Sequence, residues 1–298
     1  MGRPVPADLP GLTLRRRRLR KAAVPYALLA PGGVWLVALF IVPMVAMGSV
    51  ALQEGTAIEG YRLTWRFANF ADVLAENQVF FVRSLRNGAI VTVVALLIAY
   101  PMAYWIAFYG GRAKSALLFL ILLPFFVSFV IRTVSWSFIL SDEGIVLGPL
   151  KSIGLLLEDV RVLATTFSVL AGITYNLLPF TILPLYVSLE RIDRALVEAA
   201  KDLYSNKVQA FLKVVFPLSL PGVFAAVLLT SIPAMGDYIN AEVLGGLGTS
   251  MIGNVIQSEF LIARDYPEAA ALAFILMAAM LIGAIAYARL LGTEEVTT

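Results

Sequence analysis

Residues 190–217 read ERIDRALVEAAKDLYSNKVQAFLKVVFP, and no other stretch says as much about the fold. In its first half, apolar residues recur with the i, i+3, i+4, i+7 spacing of one helix face: Leu196, Ala199, Ala200 and Leu203. The second half repeats this spacing: Val208, Phe211, Leu212 and Val215. Asn206 followed by Gln209 is typical of a helix start. We therefore predict a helix, a sharp turn and a second helix that ends at Pro217.

The segments that flank this hairpin are long and apolar. A membrane helix needs about 20 mostly apolar residues to cross roughly 30 Å of hydrocarbon. Six segments qualify: residues 24–49, 87–109, 116–140, 162–189, 218–235 and 269–291. None of them alternates in the way of a membrane β-strand. The sequence thus predicts an all-α integral membrane protein with six transmembrane helices. A connection between two spans needs only a few residues, so the longer amphipathic hairpin indicates that one apolar face meets a partner.

The composition of the 298 residues excludes other classes of protein. Hydrophobic residues make up 60% of the chain and charged residues only 14%, and a water-soluble domain cannot hide that much apolar surface. Disorder requires the opposite composition. The chain contains no cysteine and no histidine. Their absence excludes disulfides, thiol nucleophiles, zinc fingers and His-based catalytic triads.

Basic residues give the predicted orientation. If the N-terminus is cytoplasmic, 15 of the 23 Lys and Arg residues fall on the cytoplasmic side, as the positive-inside rule requires. Both termini and the hairpin are then cytoplasmic, including the tail at residues 292–298. The Arg-rich arm at residues 1–23 is interpreted as a topology anchor near anionic lipid, with no role in binding nucleic acid. The apolar run that follows it is too long for a cleaved secretory signal.

The loop at residues 50–82 separates the first span from the other five, which form a core at residues 83–291. Within this loop, four apolar residues have helical spacing: Phe67, Phe70, Val73 and Leu74. Asn69 is a candidate cap for that turn. We therefore predict a short amphipathic helix at the outer membrane interface, with a scaffolding role.

The hairpin also carries a motif. Glu198-Ala199-Ala200, followed by Val214 and by Phe216-Pro217, resembles the EAA loop of ABC-importer permeases, although Tyr204 stands where that family usually has Gly. The resemblance implies the type I importer-permease (MetI-like) fold and a loop that docks in a groove on a separate ATPase. The implied coupling residues are Glu198, Ala199, Ala200, Lys201, Asp202, Tyr204 and Pro217. The two alanines would permit close approach, and Glu198 would offer a carboxylate to a basic partner.

Further segments resemble spermidine/putrescine permeases, most closely the first of the two permeases in such systems: residues 122–126, 132–136, 232–238, 244–246, 251–254 and 264–267. The resemblance implies a multi-pass protein of a bacterial inner membrane. Its implied partners are an ABC ATPase dimer, a second homologous permease and an external substrate-binding protein. The chain lacks the Walker A pattern, so we expect ATP and Mg²⁺ to be bound by the ATPase and no cofactor or metal by this chain.

Charged and aromatic residues mark candidates for the substrate pathway. Arg132 is the clear buried charge within a span. We expect its guanidinium to pair with Asp142 or Asp237, or to extend outward to the membrane surface. The alternative is that Arg132 takes a direct part in the substrate pathway. A cationic amine is attracted by carboxylates and aromatic faces. The candidates are Asp237, Tyr238, Glu242, Trp136, Tyr175 and Tyr186, with packing or an interfacial belt as the alternative role of each aromatic residue.

Two other functions are weighed against an importer subunit. A stand-alone channel or secondary transporter predicts ionisable relays within the membrane or inverted repeats, and the sequence has neither. An intramembrane enzyme needs a nucleophile and a base at plausible spacing, which the sequence does not offer. Within the importer class, the substrate stays open, since opines, thiamine and ferric iron are alternatives to polyamines.

Overall fold

A computed structural model describes residues 28–157, 159–203 and 206–291, and most of them are helical. The predictions for the arm at residues 1–23, for the turn at Tyr204 and for the tail at residues 292–298 fall outside this range. The helices are α1 (Leu28–Ala51), α2 (Ala68–Tyr109), α3 (Gly111–Phe126), α4 (Phe129–Leu140), α5 (Leu147–Ser152), α6 (Thr166–Glu190), α7 (Arg194–Leu203), α8 (Lys207–Gly236), α9 (Ile239–Leu244), α10 (Ile252–Ala263) and α11 (Tyr266–Leu291). Two short strands, β1 (Gln53–Thr56) and β2 (Gly60–Leu63), form an antiparallel hairpin after α1.

Five of the described helices are long and apolar enough to cross a membrane: α1, α2, α6, α8 and α11. The third predicted span, residues 116–140, is bent, because α3 and α4 meet at an angle of 92°. The chain turns at Val127 and Ser128, whose backbone is extended after a 3₁₀ turn that contains Pro124. The described chain therefore has the six predicted spans when this bent pair is taken as one span, and the bend itself was not predicted.

The short interfacial helix predicted near Phe67 is also wrong. The residues from Ala68 onward are the first turns of α2, which runs unbroken for 42 residues. Asn69 does not cap a helix, since its side-chain amide donates to the backbone oxygens of Ala51 and Gln53, at 3.0 and 2.9 Å. The polar residues that made this segment look like a loop have partners within the chain. Arg83, for example, donates to the backbone oxygen of Ser250 at 2.8 Å.

Pro217 does not end the second hairpin helix, contrary to prediction. Helix α8 continues through it into the membrane-spanning segment, and the turn just before it, Phe211–Val215, is a π-helix. In this turn the Phe216 N–H donates to the Phe211 oxygen, five residues back. Proline has no N–H and crowds the carbonyl four residues before it, and the wider turn relieves both problems.

The core of the bundle is formed by α2, α6 and α8, which pack closely against one another. Small residues make this possible, since Ala95, Ala99 and Ala103 of α2 are fully buried. At Gly88 of α2, a β-carbon would lie 2.5 Å from Cγ of Met235 on α8, so glycine is needed at this crossing. Helix α11 packs against α1 and α2. The end of the bundle that carries α7 is called the hairpin end below, and the end that carries α9 and the two strands is called the far end.

Candidate functional site

The hairpin end presents the segment that the sequence singles out. Each of its two helices begins with a side-chain cap: the Ala195 N–H donates to Oδ1 of Asp193, and the Val208 N–H donates to Oδ1 of Asn206, both at 2.9 Å. The cap predicted at Asn206 is thus confirmed. These caps satisfy backbone donors that a helix start leaves unpaired, and they hold α7 and the first turns of α8 as a defined unit.

The apolar residues of the hairpin divide into two sets. Val197 and Ala200 of α7 are buried against the bundle, and so are Ala210 and Val215 of α8. The other set is exposed: Leu196, Ala199, Leu203, Val208 and Leu212. Leu203 is 79% exposed and Val208 60%. The apolar face predicted for α7 is therefore split, because Ala200 turns toward the core of its own chain. The exposed set, with Glu198 and Asp202 beside it, is called the hairpin surface below.

A salt bridge braces the hairpin at its base. Nζ of Lys114, in the first turn of the helical segment after α2, lies 2.7 and 2.6 Å from the two carboxylate oxygens of Glu190, the last residue of α6. The Lys114 side chain is only 16% exposed, which protects this pair partly from water. The pair joins the α2–α3 connection to the position where the chain leaves α6 for α7.

At the far end, Asp237 belongs to a buried polar network, the polar junction. The Asp237 carboxylate accepts hydrogen bonds from Asn240, whose side-chain oxygen in turn accepts from Thr133 of α4 and Asn176 of α6, both at 3.2 Å. Thr133, Asn176 and Asn240 are at most 1% exposed. The junction therefore ties α4, α6 and the start of α9 together, just beyond the end of α8.

The junction is rich in hydrogen-bond acceptors. Burial raises the pKa of the Asp237 carboxyl above its usual range, and the hydrogen bonds from Asn240 oppose that shift in part. Among the described residues, Oδ1 of Asn176 has no hydrogen-bond partner although it is buried. A buried acceptor without a donor is costly, and it is suited to a ligand that brings N–H groups.

The other pathway candidates lie in three places. Trp136 and Tyr175 pack edge to face, with ring centroids 5.4 Å apart, one turn or less from Thr133 and Asn176 of the polar junction. The Asn254 side-chain amide donates to the backbone oxygen of Tyr238 and to the Glu242 carboxylate. Glu242 also lines a cavity of about 490 Å³ at the far end. Tyr186 lies apart from these, packed into the cluster at the hairpin end.

Arg132 has neither of the carboxylate partners expected for it. Its guanidinium carbon lies 5.1 Å from the ring centroid of Phe125 and 5.8 Å from that of Phe129, which are cation–π contacts. Its Nε and Nη1 atoms are buried donors, and neither has a hydrogen-bond partner within the described part of the chain. Asp142 is occupied elsewhere, since its carboxylate lies 2.9 Å from Nζ of Lys151. The expected ion pair is wrong: the guanidinium instead contacts the ring of Phe129 on its own helix and, across the bend between α3 and α4, the ring of Phe125.

Sequence reasoning missed the amides of the junction. Asn176 and Asn240 carry neither a charge nor an aromatic ring, so the pattern that suits a cationic ligand does not include them. An uncharged amide within an otherwise apolar span was the available signal, since a buried amide needs partners. Within the three described ranges, no group of three or more Asp and Glu side chains is arranged to hold a metal ion.

Comparison with known proteins adds to this geometry. Residues 95–292 match the model of the family described as binding-protein-dependent transport system inner membrane component. The spermidine/putrescine transport system permease protein PotB of Haemophilus influenzae is 37% identical over 78% of this chain and 82% of the relative. PotB of Escherichia coli K12 is 34% identical over 80% of this chain and 86% of the relative.

A solved structure shares the fold. The match is a chain of a bacterial ABC transporter involved in the import of the acidic polysaccharide alginate, with a TM-score of 0.68 and 18% sequence identity. It covers 95% of this chain and 99% of that one. At this identity the likeness concerns the fold alone, which is that of an ABC-importer permease. The family match runs from the second half of α2 to the end of α11. Together with the identity to the two permeases, it shows that the chain belongs to the family of binding-protein-dependent transport system inner membrane components.

Proposed function

We propose that the chain is the membrane subunit of an ATP-driven importer and that its hairpin surface docks on a separate ATPase dimer. The observation that carries this is the exposure of Leu196, Ala199 and Leu203 on a helix whose other face is buried in its own chain. A contiguous exposed apolar surface at the end of the bundle, outside the apolar length of the spans, is suited to a protein partner. ATP and Mg²⁺ belong to that partner in this proposal.

The orientation follows from the same proposal. The hairpin end faces the cytoplasm, where an ATPase has access to nucleotide, and the far end faces outward. The exposed basic residues Arg112, Arg191 and Arg194 lie at the hairpin end, in keeping with the excess of positive charge on the cytoplasmic side of membrane proteins. Both termini are cytoplasmic in this arrangement.

The proposed cargo is a polyamine such as spermidine or putrescine, delivered to the far end by an external binding protein and passed between this chain and a second, homologous permease. Two curated relatives at 37% and 34% identity are named for these substrates. The polar junction supports the proposal chemically. It offers a carboxylate at Asp237, an unpartnered acceptor at Asn176 and an aromatic pair nearby, and all three suit an ammonium group.

Copurification tests the coupling half of the proposal. The chain is expressed with its transport partners, and we expect ATPase subunits to copurify with it. Glu198→Arg should lower the copurified ATPase by about tenfold or more, because a like charge is placed against a basic partner. Glu59→Arg makes the same charge change at the exposed tip of the strand hairpin and should leave the yield unchanged. Equal yields from wild type and Glu198→Arg would contradict the docking role.

Uptake competition tests the substrate. Labelled spermidine should enter proteoliposomes that contain the complete importer, ATP and binding protein, and excess unlabelled putrescine should inhibit the uptake. Absence of both uptake and inhibition would exclude polyamines and would favour other cargoes of this importer class, such as opines, thiamine or ferric iron.

A further inference from the structure

Two tyrosines of α2 pack against one phenylalanine ring of the hairpin. Tyr100 and Tyr104 stand one helical turn apart on α2. The ring of Phe211, in the hairpin part of α8, meets both of them edge to face, with centroid distances of 5.6 and 5.7 Å and interplanar angles of 89° and 85°. Edge-to-face contact is a favoured arrangement of aromatic rings and adds to the stabilisation that their burial gives. Tyr100, Tyr104 and Phe211 are called the aromatic clasp below.

A directed pair of hydrogen bonds supports the clasp from the membrane side. The hydroxyl of Ser219 donates to the Phe216 backbone oxygen at 2.8 Å, so at the 2.7 Å contact between Tyr100 and Ser219 the tyrosine hydroxyl is the donor. Ser219 is fully buried. Helix α2 is thus fixed to α8 at two positions, by the Phe211 ring at the start of the π-turn and by the Ser219 hydroxyl after it.

The π-turn is the point at which α8 would otherwise bend. The π-turn begins at Phe211 and ends at Val215, and Pro217 lies two residues after its end. A π-turn interrupts the regular i→i+4 ladder, and proline removes one further bond, so both lower the resistance of a helix to bending. A displacement of the hairpin therefore has two possible results: α8 bends at the π-turn, or the hairpin and α2 move together.

We propose that the aromatic clasp makes the hairpin and α2 move as one unit, so that a displacement imposed at the hairpin surface reaches the core of the bundle. This role rests on the proposed function, because it concerns the motion that an ATPase would impose. Phe211 is then a positioning residue for transport, one that neither contacts the cargo nor belongs to the exposed hairpin surface. Loss of its ring leaves α8 free to bend, and ATP is hydrolysed without moving α2.

The ratio of substrate transported to ATP hydrolysed measures this role in the complete importer. Phe211→Ala should lower the ratio by about fivefold or more, while the ATPase still copurifies. Phe211→Tyr keeps the ring and should retain the ratio. Phe224→Ala is the matched control, because Phe224 also lies on α8 but stacks on Tyr287, with centroids 4.8 Å apart. A wild-type ratio in Phe211→Ala, or an equal loss in Phe224→Ala, would overturn the proposal.

A distance measurement gives a second readout. The chain has no cysteine, so spin labels at Arg112→Cys and Gln209→Cys, both exposed, report the separation between the start of α3, directly after α2, and the hairpin. The distance should be the same in the nucleotide-free and ATP-trapped complexes, and it should differ between the two states once Phe211→Ala is added. A change in distance with an intact clasp would overturn the joint motion. If no ATPase associates even with the wild-type chain, it is the proposed function that fails instead.

Discussion

The Asp237 carboxylate and Asn240 are joined twice. The backbone N–H of Asn240 donates to Oδ1 at 2.8 Å, and its side-chain amide donates to Oδ2 at 2.7 Å. Because Asn240 also contacts Thr133 and Asn176, the carboxylate is oriented by a network that reaches two other helices. A charge held in this way is positioned before a ligand arrives, which lowers the cost of binding.

Asp237→Asn tests whether this charge serves transport. The amide retains an oxygen for the Asn240 N–H but loses the negative charge, so we expect the KM for a polyamine to rise by about tenfold, or about 1.4 kcal/mol. The substitution also puts an NH2 donor in place of one of the two oxygens that accept from Asn240, so the melting temperature in detergent should fall by a few degrees. Asp142→Asn, also at the far end and paired with Lys151, is the control and should keep the wild-type KM. An unchanged KM in Asp237→Asn would remove this residue from the pathway.

Gly88→Ala tests the crossing of α2 and α8. A methyl group at this position would lie 2.5 Å from Cγ of Met235, and overpacking of this kind costs about 1–3 kcal/mol. We expect the melting temperature in detergent to fall by several degrees. Gly283→Ala makes the same change on α11 at a position with nothing within 4 Å, and it should leave the melting temperature unchanged or raise it slightly. Equal effects of the two substitutions would mean that the helices do not cross closely at Gly88.

Charge exchange tests the brace between Lys114 and Glu190. Either single substitution, Lys114→Glu or Glu190→Lys, places like charges together and should lower stability by about 0.5–1 kcal/mol, a modest figure because Glu190 is 40% exposed. The double substitution restores opposite charges and should recover most of the loss. The coupling energy of this double-mutant cycle is the quantity to measure, and additive losses would show that the pair does not interact in the protein.

Apolar length and helical spacing were enough to predict the membrane class, the number of spans and the hairpin. The bend between α3 and α4 was not predictable in this way, because the segment is apolar throughout and only the local backbone at Val127 and Ser128 turns it. The full length of α2 was missed for the opposite reason. Its first turns carry polar side chains whose partners, such as the Ser250 oxygen for Arg83, come from distant parts of the chain.

For the candidate sites too, local sequence patterns were predictable and contacts between distant residues were not. Glu198 and Ala199 could be selected from a local pattern, and both are exposed as a docking surface requires. The strand hairpin was missed although Gly55 and Gly60, which both have positive φ, bracket its turn. The polar junction was out of reach, since Asn176 and Asn240 are 64 residues apart in sequence and only the packing of α6 against α9 brings them together.

Site-specific photocrosslinking tests the docking of the hairpin most directly. A benzophenone amino acid at the exposed Ala199 should form an adduct with the ATPase subunit in the assembled complex. The same group at Leu97, which is 70% exposed on the membrane-spanning part of α2, should form none. An ATPase adduct from position 199 and not from position 97 is the result this account predicts. A complex that assembles with ATPase but gives no adduct at position 199 would contradict it.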